Sequence, residues 1–469
     1  MVSKLIIIVN FVADFFVSVM LKLKIKFAVS LCCIVGVVSA QKVWTLEECI
    51  GYAYDNNIQL KQMQLDINYS ENNLMQSKIG LLPNLNASGS FSSSKGKVLD
   101  QNTLTVVDGK TVNQFSASIN SSITLFKGLQ QKNTIDRNLY TMLASIQNVE
   151  KLKNDLSINI ALYYLQIIHA REQLAVAENQ LDLTLLRVAR NSTLVDAGSV
   201  AESDLFEIQS QAAREELQVV TARNTLDISR LNLMQLLDLD AQTDFQVAVP
   251  DFSNTIPSEM LTTVDDVFAT AENTMPQIIA AEYNLKISEK QLAFSQGYRS
   301  PTLSLSGGYG TRYSSSAKMA TLTGNDILYP FMDQLKDGIN SYISLSLNIP
   351  LFNGWQVQTG VKNAKLNLQD YRYRLQLAKN TLYKEIQQAH ADAAAAQKRY
   401  LAATKAVASM EEAFRYTEQR YELGLMNFVD YTTVKTRLTG AQSDMLQAKF
   451  EYIFKVNVLN FYNGKPISL

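Results

Sequence analysis

The 469-residue sequence predicts a mixed α/β membrane protein, in which a trimeric 12-stranded β-barrel, with four strands from each chain, is continued by a long α-helical coiled-coil barrel. Three observations lead to this prediction. The chain contains two internal repeats, each repeat carries a β-hairpin with one apolar and one small polar face, and long amphipathic helices follow each hairpin. Only 8 prolines and 19 glycines interrupt the chain, which favours long elements over a string of small domains.

The first part of the chain, 1–40, is predicted to be a signal peptide. Three lysines between positions 22 and 26 precede an apolar run that ends in Val38-Ser39-Ala40, small residues typical of a cleavage site. An apolar stretch further upstream contains Asn10 and Asp14, so we expect translation to start at Met20. A single overlong signal or anchor is the alternative. In either case the layout predicts export.

The composition argues against chemistry and against nucleic acid. A net charge of −1 creates no field that would attract a polyanion. The two histidines, His169 and His390, lie in helical heptad regions without a neighbouring ligand cluster, and there is no nucleophile signature. After cleavage Cys49 remains alone, so it cannot form an internal disulfide. We therefore predict that the protein is not an enzyme and has no catalytic residue, metal site, cofactor or nucleic-acid partner.

The duplication is visible in positions that recur at two constant spacings. One spacing holds in the first part of each repeat, and a slightly longer one holds in the rest, because the second repeat contains an insertion. The positions matched at the first spacing are 45–48 with 263–266 and Pro83 with Pro301; those matched at the second are 125–128 with 351–354, Gly198 with Gly424, and Asp204 with Asp430. The first structural repeat is therefore predicted over 41–262 and the second over 263–469.

Each repeat is predicted to begin with two helices, to continue through a β-hairpin and to end in a helical hairpin that turns at a glycine. The predicted elements are the β-hairpins 84–125 and 302–350, the coiled-coil hairpins 128–238 (tip near Gly198) and 354–461 (tip near Gly424), and a linker, 239–262. The loop of the second β-hairpin is longer than that of the first.

The predicted strands alternate strictly between apolar and small polar residues. The apolar positions run from Leu85 to Phe91 in the first strand and from Phe115 to Leu125 in its partner, with serine, threonine and asparagine between them. A soluble sandwich also alternates in this way. However, a polar face of hydroxyl and amide side chains suits a water-filled lumen, and tilted membrane strands need about 9–11 residues, which these strands have.

The number of strands predicts an oligomer. An open sheet edge is not tolerated in hydrocarbon, because each unpaired backbone group costs several kcal/mol there. Two chains would supply eight strands, whose interior is filled by side chains, whereas three would supply twelve and leave a passage. The small polar inner face favours the passage, and therefore the trimer.

The segments after the hairpins are predicted to be long helices. From 128 to 197 apolar residues recur at steps of three, four and seven, which is typical of a coiled-coil stripe. A continuous helix of that length would reach roughly 105 Å.

These features resemble the TolC family of outer-membrane efflux proteins, over nearly the whole mature chain. The most specific stretch is 420–424 (RYELG) followed by Asp430, Leu438 and Ala441, which is similar to the family's second coiled-coil tip. The resemblance implies an outer-membrane exit duct of a tripartite efflux or type I secretion system, with its helices in the periplasm. It also implies a homotrimer in outer-membrane lipid that docks to a periplasmic adaptor (membrane fusion) protein and an inner-membrane pump.

The resemblance further implies a pore gate at the periplasmic tip. Asp430 matches a carboxylate that rings the pore entrance, and Tyr421 matches an aromatic residue that ties neighbouring helices in the closed state. Asp204 occupies the equivalent place in the first repeat. Thr433 stands where the family has a second acid and Met426 where it has a basic residue, so we expect a latch that is weaker or differently built.

The tip turns are expected to contact the adaptor. The residues assigned to them are Gly198, Gly424, Leu425 and Met426.

Two alternatives remain open at this stage. Asp430 could simply stabilise the N-terminal turn of the helix that follows it. The whole chain could instead be a soluble periplasmic coiled-coil adaptor protein of such a system. The cargo also stays open, since the resemblance admits drugs, metals, small metabolites and secreted polypeptides.

Overall fold

The computed structural model describes residues 43–100, 104–240, 245–250, 262–319 and 327–468. The predicted signal peptide, 1–40, and much of the predicted linker, 239–262, lie outside the described residues. The helices are α1 (Leu46–Asn56), α2 (Ile58–Ile79), α3 (Gln130–Asp196), α4 (Glu202–Leu236), α5 (Val264–Thr274), α6 (Pro276–Gly297), α7 (Phe331–Asp337), α8 (Gln356–Glu422) and α9 (Phe428–Tyr462).

The four helices that the two repeats share have equal lengths. α1 and α5 contain 11 residues each, α2 and α6 contain 22, α3 and α8 contain 67, and α4 and α9 contain 35. A helix of 67 residues is about 100 Å long. Every position of the first helical hairpin therefore has a counterpart in the second, at the spacing that relates Gly198 to Gly424. Among the described residues, no helix is both long and apolar enough to cross a membrane.

The main sheet contains four antiparallel strands in the order β2-β3-β5-β8, so the hairpins of the two repeats lie side by side. Two small pairs complete the strands: β1 is parallel to β4, and β6 is antiparallel to β7. The strands are β1 (Val43–Trp44), β2 (Asn84–Asp100), β3 (Thr105–Lys127), β4 (Gln246–Val247), β5 (Thr302–Ser314), β6 (Lys318–Met319), β7 (Ile327–Leu328) and β8 (Asn340–Asn348).

The pairing register separates the sheet into an apolar face and a serine face. Ser90 opposes Ser116 across β2 and β3, and their hydroxyl oxygens are 2.8 Å apart. On the other face Leu305 of β5 opposes Leu345 of β8. The leucines and isoleucine of β8 are exposed, Ile343 to 86% of its surface. An exposed apolar face on a four-stranded sheet indicates a surface that contacts lipid.

A β-bulge changes the predicted alternation at the end of β3. The ladder to β5 shifts between Thr124 and Phe126, so that Phe126, rather than Leu125, opposes Leu303. Strict alternation up to Leu125 is therefore wrong by one residue, because a bulge inserts one residue without a cross-strand partner.

Each strand pair leads into its long helix through two consecutive left-handed residues. Gly128 (φ 56) precedes Leu129 (φ 59), and Gly354 (φ 60) precedes Trp355 (φ 65). Gly128 is required for a second reason, since a Cβ atom there would lie 2.3 Å from the carbonyl oxygen of Gly297. This close approach fixes the start of α3 against the end of α6.

Two hydrophobic cores hold the helices together along their length. The first core joins α1, the middle of α3, the end of α4 and the β1–β4 pair, with Ile160 and Leu233 fully buried. The second core joins α5 and the start of α6 to α8 and α9, with Ile278 and Ile386 fully buried. Because α9 also contributes Phe450 to the first core, the two repeats share their packing.

The short helix α7 covers the part of β5 that β8 does not reach. The first residue of β8, Asn340, lies opposite Gly310, whereas β5 continues to Ser314. Here the side chain of Gln334 takes the place of a strand. Its Oε1 accepts from the Ser314 N–H at 2.9 Å, and its Nε2 donates to the Ser314 carbonyl oxygen at 3.0 Å. The backbone of Ser314 is thereby satisfied.

Gly128→Ala is expected to destabilise the folded protein by about 3 kcal/mol, because a side chain adds left-handed strain and a clash with Gly297. Gly109→Ala is the matched control, since Gly109 has a φ of 72 but no atom within 4 Å of an added Cβ. We expect the control to lose about 1 kcal/mol. Thermal unfolding in detergent, followed by circular dichroism, measures both losses, and equal losses would contradict the close approach.

Candidate functional site

The two helical hairpins turn through the same structure. Gly198 (φ 70) and Gly424 (φ 72) both follow a 67-residue helix in the left-handed conformation that favours glycine. At the second turn Gly424 N–H donates to the Tyr421 carbonyl at 3.0 Å, and Leu425 N–H donates to the Arg420 carbonyl at 2.9 Å. This is the bond pair of a Schellman cap, and the first turn has the same pair, both at 2.8 Å.

The helices that leave the turns begin differently. Asn427 caps α9, and its side chain accepts from the Asp430 N–H at 2.8 Å. Ala201 caps α4 and offers no side-chain acceptor. In spite of this difference, Asp430 and Asp204 occupy the same position in the first turn of the two helices, and both are exposed. Each carboxylate is favourably placed at the positive end of its helix dipole.

Tyr421 lies in an aromatic cluster at the base of the second turn. Its ring stacks on Tyr431 of α9 with centroids 4.7 Å apart, and Phe428 and Phe414 also flank Tyr431. Burial raises the pKa of the Tyr431 hydroxyl. In one chain, Tyr421 thus ties the end of α8 to the start of α9.

Arg187 connects the first hairpin to this cluster. Its guanidinium carbon lies 4.3 Å from the ring centroid of Tyr431, and its Nη2 donates to Glu418 Oε1 at 2.7 Å. Arg187 therefore bridges α3 to both α8 and α9. A cation over an aromatic ring and within an ion pair holds these three helices together more firmly than either contact alone.

Lys435 of α9 makes a second and more deeply buried link to the first hairpin. Its Nζ donates to Thr184 Oγ1 at 2.7 Å and to Glu215 Oε1 at 3.0 Å, and the Gln180 carbonyl lies at 3.4 Å. Burial lowers the pKa of the lysine, against the opposing effect of Glu215. Positive charge on Arg187 acts in the same direction as burial.

The structure places the other predicted tip residues at the surface or partly buried. Leu425 is 66% exposed and Met426 is half-buried. Thr433 is exposed, and its hydroxyl donates to the Val429 carbonyl of its own helix at 2.8 Å.

Sequence reasoning missed the links made by Lys435 and Glu215. One signal was available: Lys435 lies between the buried residues Tyr431 and Leu438, at the helical spacing of an apolar stripe. A lysine at such a position needs a buried partner. The partner itself could not be identified, because Glu215 lies in the other repeat, 220 residues away.

The site consists of contacts between helices. In the part of the chain that the structure describes, no cluster of histidine, cysteine, aspartate and glutamate could hold a metal ion.

An apolar outer sheet face, an opposite serine face and two very long helical hairpins tied near their tips define a membrane channel with a helical extension. The outer membrane efflux protein family matches residues 49–238 and 262–464, and the chain belongs to this family.

Individual relatives are distant but cover most of the chain. TolC of Escherichia coli (strain K12) is 23% identical over 430 residues, 91% of this chain and 83% of TolC. The outer membrane efflux protein BepC of Brucella suis biovar 1 is 19% identical over 409 residues, 87% of this chain and 83% of BepC. The Campylobacter jejuni CmeC outer membrane channel has the same fold, with a TM-score of 0.73 at 19% identity over 90% of this chain and 87% of CmeC.

The protein is therefore an outer-membrane channel that serves as an exit duct for efflux, with its helical part in the periplasm. The predicted family, mixed fold, function and location are confirmed. The chain works as part of an efflux system, in a family of transport ducts. The alternative of a soluble adaptor is not supported.

Asn427→Ala is expected to loosen the first turn of α9, because the Asp430 amide loses its acceptor and a lost cap costs about 1 kcal/mol. Ala201→Asn should act in the opposite direction on the Asp204 amide. Hydrogen exchange measured by mass spectrometry across both turns checks the pair. Unchanged exchange at Asp430 in Asn427→Ala would show that the cap does not order the turn.

Proposed function

We propose that the protein forms the exit duct as a homotrimer, within a tripartite efflux or type I secretion system, and that its tip opens when an adaptor and an inner-membrane pump engage it. The observation that carries this proposal is a sheet with two outer strands, β2 and β8, and an exposed apolar face. No part of the function requires bond chemistry, so we infer that the protein is not an enzyme.

The sheet edges support a trimer. In hydrocarbon the outer strands must pair, since each unsatisfied backbone group costs several kcal/mol. Four strands are too few to curl into a barrel, because membrane barrels begin at eight. Three chains supply twelve strands, which enclose a passage lined by the serine face.

The repeats supply the register for the contact between chains. β3 of the first repeat pairs with β5 of the second repeat inside the chain. The counterpart of β3 in the second repeat is β8, and the counterpart of β5 in the first repeat is β2. Asn120 of β3 opposes Gly308 of β5. The repeat counterpart of Asn120 is Ser346 and that of Gly308 is Ser90, so Ser346 should oppose Ser90 of the neighbouring chain. By the same rule Leu345, which precedes Ser346, should oppose Phe91, which follows Ser90. The apolar faces of both chains then lie on the same side of the barrel.

Ser346→Cys combined with Ser90→Cys is expected to give a covalent trimer on mild oxidation, since directly opposed residues in paired strands have Cβ atoms about 5 Å apart. Non-reducing gel electrophoresis of outer membranes measures the product. Cys49 is buried and should not react.

Leu345→Cys combined with Ser90→Cys is the matched control. These positions are offset by one residue and lie on opposite faces, so the covalent trimer should fall by about tenfold or more. Equal cross-linking of the two combinations, or none in either, would contradict the proposed register.

The tip residues support a gate. Asp430 is exposed near the end of the hairpin and has its counterpart, Asp204, at the same position of the first repeat. Three Asp430 carboxylates around one axis would attract cations and repel one another. Tyr421, stacked on Tyr431, would hold the second hairpin in its closed shape.

Asp430→Ala is expected to weaken block by divalent cations by about tenfold, because the ring of carboxylates is the proposed binding site. Single-channel recording of the purified protein in planar bilayers measures the block. Asp444→Ala, an exposed carboxylate further along α9, is the control and should leave the block unchanged. Unchanged block in Asp430→Ala would reduce Asp430 to a residue that stabilises its own helix.

The turns at Gly198 and Gly424 support adaptor binding. The second turn presents Leu423 and Leu425, 73% and 66% exposed, next to the half-buried Met426. Exposed leucines at the end of a long hairpin suit an apolar contact with another helical tip. Washing membranes with carbonate separates this function from that of a soluble adaptor, because a channel stays with the outer membrane.

A further inference from the structure

Lys435 and Glu215 form the most deeply buried ion pair of the described residues. Their side chains are 8% and 6% exposed, whereas every other ion pair among the described residues leaves a quarter or more of each side chain exposed. Buried charge of this kind is costly and needs complete pairing. Its presence close to the tip therefore calls for a functional explanation.

The pair joins the two repeats within one chain. Lys435 belongs to α9 of the second hairpin, while its acceptors Thr184 and Glu215 belong to α3 and α4 of the first. With the Gln180 carbonyl at 3.4 Å, each of the three ammonium protons has an acceptor. A movement of α9 away from the first hairpin would break all three bonds together.

The Glu215 carboxylate depends on Lys435 for charge compensation and for one of its two hydrogen bonds. Glu215 Oε1 also accepts from Gln211 Nε2 at 2.9 Å, whereas Oε2 is buried and has no hydrogen-bond partner among the described residues. Without Lys435, Glu215 would be a buried anion with a single amide donor. Removing one partner of a buried pair destabilises the packed helices far more than removing both.

The two repeats provide two equivalent positions for this ion pair, and the residues that form it are present at one of them. At the spacing that relates Gly198 to Gly424, the counterparts of Lys435, Thr184 and Glu215 are Gln209, Met410 and Ala441. These residues cannot form an ion pair. In a ring of hairpins, the contact within each chain would therefore be ionic and the equivalent contact between chains would not.

We propose that Lys435 is a positioning residue of the gate, which holds α9 against the first hairpin and so keeps Asp430 in its closed position. The inference rests on the proposed gate and names what holds it shut. Asp430 lies five residues before Lys435 on the same helix, about 7.5 Å along its axis. Arg187, over the ring of Tyr431, supports the segment between them.

Lys435→Met tests the proposal, because it removes the charge and keeps most of the side-chain length. In planar bilayers we expect the ratio of open to closed channels to rise on the order of 100-fold, since Glu215 then gains by reaching water. Glu215→Met should have the same effect. Lys435→Met with Glu215→Met should return the ratio to within about threefold of the parent, because an apolar pair needs no partner.

Gln209→Met is the matched control, since Gln209 is the repeat counterpart of Lys435 and lacks the ion pair. It should leave the ratio unchanged. An unchanged ratio in both single variants would overturn the proposal, and so would a fall in unfolding temperature with no change in the ratio. A rise in Gln209→Met equal to that in Lys435→Met would also overturn it.

Hydrogen exchange gives a readout that does not require a channel. Lys435→Met should speed exchange of the amides between 428 and 440 at least tenfold, and the double variant should restore slow exchange. If the single variants do not accumulate, failure of the double variant to restore parent exchange decides against the link. A parent protein that forms no channel would refute the proposed function instead, and exchange would still test the link.

Discussion

The backbone hydrogen bonds of the four-stranded sheet are the constraint on which the rest of the architecture depends. β2 and β8 are its outer strands, and the apolar face between them is exposed. Neither strand can remain open in lipid, and this requirement is the basis of the proposed trimer. Gly128 fits against Gly297 at the exit of the sheet, and the long helices must therefore follow the direction that strand pairing sets.

Duplication explains both the regularity of the molecule and its exceptions. Helices of 67 and 35 residues recur without a single insertion, and both tips close with the same glycine cap. Within these equal helices, the repeats differ in charge and in capping at particular positions. Asn427 caps α9 whereas Ala201 caps α4, and Lys435 corresponds to Gln209. The proposed ring of three chains would therefore contain two kinds of helix contact, one with the ion pair and one without it.

Much of the fold was predictable because it depends on local patterns. Alternation predicted the strands, although β2 and β3, with 17 and 23 residues, are longer than the expected length of about 9–11 residues. Glycine spacing predicted the turns at Gly198 and Gly424. Three features were not predictable for physical reasons. The bulge at Leu125 depends on the partner strand, the Lys435 link needs helices from both repeats, and Gln334 acts as a backbone substitute that leaves no periodic trace. The roles of Asp430 and Tyr421 follow from family resemblance and remain predictions.

The side-chain amide of Gln334 bonds to the backbone of β5 beyond the point that β8 reaches. β8 has 9 residues and β5 has 13, and the Ser314 carbonyl at the end of β5 accepts from Gln334 of α7 instead of from a strand. α7 is held there by more than this amide, since Phe331 packs on Tyr313 and the Thr311 hydroxyl donates to the Leu335 carbonyl at 2.6 Å. The upper end of the sheet therefore depends on a helix that has no counterpart in the described part of the first repeat.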